Sequence, residues 1–235
     1  MKSRTAPHIH RELSAPQIYL HVLVALLPSC AAAVFYYGLR AAILITWSAL
    51  LFFILDRLIS VKIRQDKHYY DLSGIISGII IALLLPPNVS LMTASVAVIF
   101  ASLVIKQFFG GVGSNLFNPA LAGRAFIEIV YSDQLRIFSN PGENRWILHT
   151  LITGPRDEGN WFFALARADD MLELISGAYP GLVGATGAVF ALLGGAYLIM
   201  KGIVRPHATG AFLVSYFLFY WVFFAGRNQL LPLSA

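Results

Sequence analysis

Residues 71–87 read DLSGIISGIIIALLLPP. From Leu72 to Leu85 the run carries no charge, and it ends abruptly at Pro86-Pro87. As an α-helix, residues 72–85 would rise about 21 Å at 1.5 Å per residue. That falls short of the ~30 Å hydrocarbon core of a bilayer. Two consecutive prolines forbid continuation, because each lacks the N–H that the helix ladder needs. The stretch therefore reads as a short apolar helix broken at membrane depth.

The flanking sequence supplies the membrane. Residues 17–39 form a first spanning candidate, with Pro28 inside it. Residues 41–55 form a second, extending to about Val61 with Arg57 reaching towards the headgroups. Residues 89–109 form a third, ending near Lys106, and residues 179–200 and 208–225 form two more. Of the 235 residues, 57% are hydrophobic and 12% charged, at a mean hydropathy of +0.69. A soluble domain carries about 25% charge. The fold class is thus all-α: a polytopic membrane protein with broken or re-entrant helices. The polar start, MKSRTAPHIHRELSAPQ, is too long for a signal peptide and lacks a small-residue cleavage site after the first apolar run. The expected organisation is a cytoplasmic segment 1–16, a first helical repeat 17–131, an external loop 132–178 and further spans in 179–235.

Charge placement orients this layout. With the N-terminus in the cytoplasm, ten basic residues fall inside: Lys2, Arg4, Arg11, Arg57, Lys62, Arg64, Lys67, Lys106, Lys201 and Arg205. The first two external turns then hold only Arg40, and the long segment 132–178 is net acidic. That satisfies the positive-inside bias. The formal charge of +5 is explained in this way, and nucleic-acid binding is not expected. Within 132–178, Trp146, Trp161 and Phe162 suit headgroup depth or a partner's surface. The expected location is a membrane, crossed several times, with the N-terminus in the cytoplasm.

A second interruption follows the third span. Residues 110–119, GGVGSNLFNP, lead into a short apolar helix over 120–131. Asn118 is a good N-cap, and Pro119 suits the first helical position because its missing N–H would have no partner there. Short Gly/Pro-interrupted segments point to an ion or substrate site in membrane proteins. Arg124 places a guanidinium inside this apolar helix, and Glu128 lies four residues on, so the two can pair on one face. The pair is either functional or a structural ion pair. Asp71 is either a helix cap or a functional carboxylate at a cavity mouth. With Ser73, Asn115 and Glu128 it makes up the candidate ion or cavity site.

Other chemistries find little support. The single cysteine, Cys30, permits no internal disulfide, and the six histidines include no i,i+4 ligand pair for zinc. No metal ligands and no catalytic residues are assigned. There is no Walker A loop, no dinucleotide fingerprint and no nucleophile elbow.

The same stretches carry a family resemblance. Asp71-Leu-Ser-Gly through Leu85-Pro86-Pro87 and Lys106-Gln-Phe-Phe-Gly-Gly through Asn118-Pro-Ala-Leu-Ala-Gly-Arg124-Ala-Phe126 resemble the RnfD/NqrB family. So do Ala6-Pro7-His8…Arg11 and Gly181-Leu-Val-Gly184-Ala-Thr186, the latter matching a Gly-x-x-Gly-Glu-Thr-Ser motif. The resemblance implies a membrane subunit of an ion-translocating electron-transport complex, moving Na⁺ or H⁺ alongside other membrane subunits. It implies inverted repeats of five helices, like those of urea transporters. It also implies FMN on a threonine in a Ser/Thr-x-Ala-Thr sequence.

Two departures stand out. The interval 127–180, where the family carries its flavin threonine, holds Thr150 and Thr153, but Arg156 takes the threonine's place in Thr153-Gly-Pro155-Arg156. Gly184-Ala-Thr186 is the nearest other match, so Thr186 is the candidate for FMN attachment, with Gly184, Asn118 and Arg124 as candidate cofactor contacts. The second departure is length, since the chain stops after its seventh hydrophobic segment where the family continues through about three more. Both departures leave open a non-redox accessory or scaffolding subunit, and the broken helices alone would also suit a small-solute or ion pathway.

Overall fold

In the computed structural model, residues 14–62, 72–108, 117–136, 181–185, 188–220 and 222 are described. They are helices and turns throughout, with no strand among the described residues. Asp71, Asn115, Thr186 and nearly all of the loop 132–178 lie outside them.

Helix α1 (Ala15–Tyr37) starts with Ser14 in an extended conformation, its N–H donating to Gln17 Oε1 at 2.8 Å. Pro28 lies inside α1, which remains helical through it. The helix ends at Gly38, whose φ of 64° is a left-handed value that glycine adopts without a Cβ penalty. The chain turns there directly into α2 (Leu39–Lys62). Both helices are long and apolar enough to cross a membrane, with mean hydropathies of 2.1 and 2.0 over their best windows. Their bounds agree with the first two expected spans.

Helix α3 (Ser73–Leu83) is the short helix before Pro86-Pro87. It packs on α1, α2, α4 and α5. A helix apolar on every side needs such surroundings. Its approach to α2 is closest at Gly78, where a Cβ would lie 2.5 Å from the Ser48 carbonyl oxygen and 2.6 Å from Ala49 Cα.

The third span forms in two parts. Helix α4 (Leu91–Phe100) is capped by Ser90, whose Oγ accepts from the Thr93 N–H at 3.1 Å. From Ala101 to Gln107 the same helix widens to π geometry. The Phe108 N–H accordingly reaches back five residues to the Leu103 carbonyl at 3.2 Å. Helix α5 (Pro119–Val130) is capped as its sequence suggests: Asn118 Oδ1 accepts from the Ala120 N–H at 2.9 Å. Gly123 lets α5 approach α4, since a Cβ there would lie 2.7 Å from the Ala97 oxygen. Phe126 stacks on Phe100 with ring centroids 4.0 Å apart. Asn118→Ala should lower the melting stability by about 1 kcal/mol through loss of the cap, whereas Asn118→Asp should keep it. A single turn, α6 (Ser132–Leu135), follows.

The chain divides into two units, Met1–Gly194 and Gly195–Ala235. Among the described residues of the expected span 179–200, the helix is α7 (Ala188–Met200). Residues 181–185 are turn and irregular backbone, because the Val183 and Gly184 amides bond outside any helix ladder. In the second unit, α7 ends at Met200, Gly202 lies in the turn beyond it with φ 68°, and α8 (Pro206–Tyr220) follows.

Candidate functional site

The C-terminal end of α3 is where the two interrupted segments meet. The last carbonyls of any helix lack intrahelical donors. In a membrane such groups must be satisfied by protein, since each left bare costs several kcal/mol. Here two other segments supply the donors. The Gly184 N–H donates to the Leu83 carbonyl at 2.7 Å, and the Val183 N–H to the Leu85 carbonyl at 2.9 Å. Between them, Arg124 Nε donates to the Leu84 carbonyl at 2.9 Å. Leu85, Val89 and Val183 are fully buried around this knot.

Arg124 also pairs with Glu128 one turn on, as their spacing implied. Its guanidinium thus ties α5 to the broken end of α3. Losing such a charge-assisted bond costs about 1.5–3 kcal/mol, so Arg124→Gln should melt earlier by that amount. Arg124→Lys should recover the Glu128 pairing but not the Leu84 bond, because lysine lacks the fixed planar fork. Equal melting of all three proteins would contradict this tie.

A second polar cluster sits at the opposite end of α3. Asp56 of α2 and Lys106 of the π segment form an ion pair at 2.7 Å, both almost wholly buried. Lys106 Nζ also donates to Ser73 Oγ, at 2.7 Å. Gln107 Nε2 donates to the other carboxylate oxygen of Asp56. The Phe52 ring lies 5.7 Å from the ammonium. Three helices, α2, α3 and the π segment, therefore converge on one carboxylate. Widened π turns recur at functional positions in helices.

The sequence-derived candidates fall in different places. Asn118, Arg124 and Gly184 lie on the α3–α5–turn arrangement, and Glu128 joins through Arg124. Ser73 belongs instead to the Asp56–Lys106 cluster. Asp71, Asn115 and Thr186 fall outside the described residues. Asp56, Lys106 and Gln107 were not singled out, and Lys106 was assigned to a cytoplasmic boundary. The lysine is buried, because an opposite charge on α2 compensates it. A signal was present, since two opposite charges at the ends of apolar runs in a membrane protein usually find each other.

Comparison with known proteins addresses what this arrangement belongs to. The family model NQR2, RnfD, RnfE matches residues 2–234. The chain belongs to the NQR2, RnfD, RnfE family. Its relatives include a component of a Na⁺-translocating ferredoxin:NAD⁺ oxidoreductase complex from Acetobacterium woodii, 29% identical over 92% of this chain and 67% of that protein. A component of an ion-translocating oxidoreductase complex from Alcanivorax borkumensis is 28% identical over 89% of this chain and 67% of that protein. A component of a Na⁺-translocating NADH-quinone reductase from Neisseria meningitidis is 30% identical over 58% of this chain and 34% of that protein.

Three of the residues that the sequence offers as cofactor contacts already have partners within the fold. The Gly184 amide is already bonded to Leu83, and a Cβ at Gly184 would lie 2.7 Å from Leu83 Cβ. Asn118 Oδ1 is occupied as a cap, and Arg124 bonds Leu84 and Glu128. Arg124 and Gly184 thus help hold the helix break together, and Asn118 caps the helix beside it.

Proposed function

We propose that this chain is the helical membrane subunit of an ion-translocating electron-transport complex of RnfD/NqrB type, acting with other membrane subunits. The observation that carries the reading is the knot at the end of α3. The Asn-Pro-Ala-Leu-Ala-Gly-Arg segment and the 181–185 turn both bond the carbonyls of the Leu-Pro-Pro segment, and each of the three is matched to the family by sequence. Broken helices held at membrane depth by protein donors suit a subunit lining an ion path. In this reading the chain is multi-pass in the bacterial inner membrane, with its N-terminus in the cytoplasm. Its helices form part of a urea-transporter-like inverted repeat, and Na⁺ or H⁺ is the ion moved.

The test is purification from its native membrane in mild detergent. Co-purifying redox subunits are the expected result, and their absence would sink the reading. Flavin is checked on the same material. If FMN is attached at Thr186, the denatured, gel-separated chain fluoresces under ultraviolet light, and Thr186→Val darkens it. A dark band from a complex that also lacks free flavin would leave a non-redox scaffolding role, which the structural commitments of Asn118, Arg124 and Gly184 favour as the second reading.

A further inference from the structure

The outward sides of the helices differ in what can cover them. On α2 and the span after it they suit lipid. Leu50, Phe53 and Ile54 of α2 are exposed, as are Ile99 and Leu103. The exposed polar groups among them are satisfied within the chain: Trp47 Nε1 donates to Ser95 Oγ at 2.9 Å, and Thr46 Oγ1 to the Ala42 carbonyl at 2.7 Å. Helix α5 is built otherwise. Its buried side is Pro119, Ala120, Gly123 and Ile127, whereas Leu121, Ala125, Glu128 and Ile129 are exposed on successive turns. Ile129 is 84% exposed and the Glu128 side chain 46%. One carboxylate oxygen of Glu128 pairs with Arg124, and the other has no partner among the described residues.

This carboxylate lies at membrane depth. The span after α3 is tied to α2 at Trp47–Ser95 and again at Asp56–Lys106. Ala97 and Ala101 lie between those ties, beside the middle of α2, and Gly123 packs on both. Glu128 follows five residues on, about 7.5 Å along α5 at 1.5 Å per residue. That is within half of a ~30 Å hydrocarbon core. Arg124 holds the carboxylate from one turn back, which keeps it from reaching for the headgroups. Lipid tails offer a carboxylate oxygen no donor, and ionisable groups at this depth face protein or water. Whatever covers the face must bring apolar surface for Leu121, Ala125 and Ile129 and a donor for Glu128. Arg124 already balances the charge, so an uncharged hydroxyl or amide fits better than a second cation. Such groups bond across neighbouring helices in membranes. We infer that the outward face of α5 is an interface between membrane subunits, occupied by a transmembrane helix with a hydroxyl or amide side chain opposite Glu128. The inference rests on the proposed complex in that the helix is taken from one of its membrane subunits.

The experiment is photo-crosslinking of the full chain in its native membrane, before detergent is added. Irradiation should join Ile129→benzoylphenylalanine to a membrane subunit that co-purifies with the chain, severalfold more than it joins Leu50→benzoylphenylalanine on the lipid side. Mass spectrometry should place the adduct on an apolar helix of that subunit, within one turn of a hydroxyl or amide side chain. Ala125→Trp, which fills the face, should lower the recovery of that subunit severalfold per copy of this chain, and Leu50→Trp should not. An adduct to lipid, to a second copy or to another segment of this chain overturns the interface, as does one on a helix with no hydroxyl or amide near it. Equal recovery after Ala125→Trp and Leu50→Trp overturns it too. Should Ala125→Trp fail to accumulate, the Ile129 adduct decides alone. Redox subunits that co-purify without an Ile129 adduct leave the electron-transport reading standing and sink the interface. The expected adduct, found in a complex without redox subunits, does the reverse.

Discussion

Asp56→Asn should be among the most destabilising single changes in this chain, costing about 3–5 kcal/mol. The substitution keeps the shape of the side chain and removes its charge. Lys106 then stays buried without the carboxylate that lies 2.7 Å from its ammonium, since both partners are almost wholly inaccessible. The double variant Asp56→Asn/Lys106→Met should recover much of the loss, because two neutral side chains replace the pair and neither leaves a buried charge behind. Thermal melting of the four proteins in detergent gives the coupling directly as a double-mutant cycle. Additive losses would mean that the two charges act separately, against their 2.7 Å separation.

The second large effect is expected at Gly78. A Cβ there would meet backbone of α2, at 2.5 Å from the Ser48 oxygen and 2.6 Å from Ala49 Cα. Backbone cannot step aside as a flexible side chain can, so Gly78→Ala requires α2 and α3 to separate. Overpacking of this kind costs about 1–3 kcal/mol, and Gly78→Leu should exceed that range or prevent folding. Gly195 provides the internal control. It lies in α7, where no atom of the described residues comes within 4 Å of a Cβ placed on it. Gly195→Ala should be neutral, or stabilising by up to ~1 kcal/mol through helix propensity. If both alanine variants melted alike, the close α2–α3 crossing would not be a constraint in the folded protein.

Much of the helical framework was legible from hydropathy and punctuation. The bounds of α1 and α2 follow from apolar runs ended by Gly38 and by the basic residues after Val61. The start of α5 follows from Asn118-Pro119, because capping is a local interaction between a side chain and the next few amides. The Arg124–Glu128 pair is equally local, one helical turn apart. The expected span 179–200 failed in its first part for a non-local reason. Its apolar composition suits a helix, yet the Val183 and Gly184 amides bond carbonyls about a hundred positions earlier in the chain. Hydropathy cannot see a donor drawn away by a distant acceptor.

The candidate site divides along the same line. Sequence alone determined that this chain is helical, suited to a membrane, and interrupted at two places, because composition and proline chemistry act residue by residue. It also singled out the motifs that place the chain in its family. Only the tertiary structure decided what those motifs do for one another. The carbonyls of Leu83, Leu84 and Leu85 need donors that their own helix cannot provide, and the fold brings Arg124 and the 181–185 turn to them. Asp56 and Lys106, fifty residues apart, likewise become a buried pair because burial in apolar surroundings makes each charge intolerable without the other.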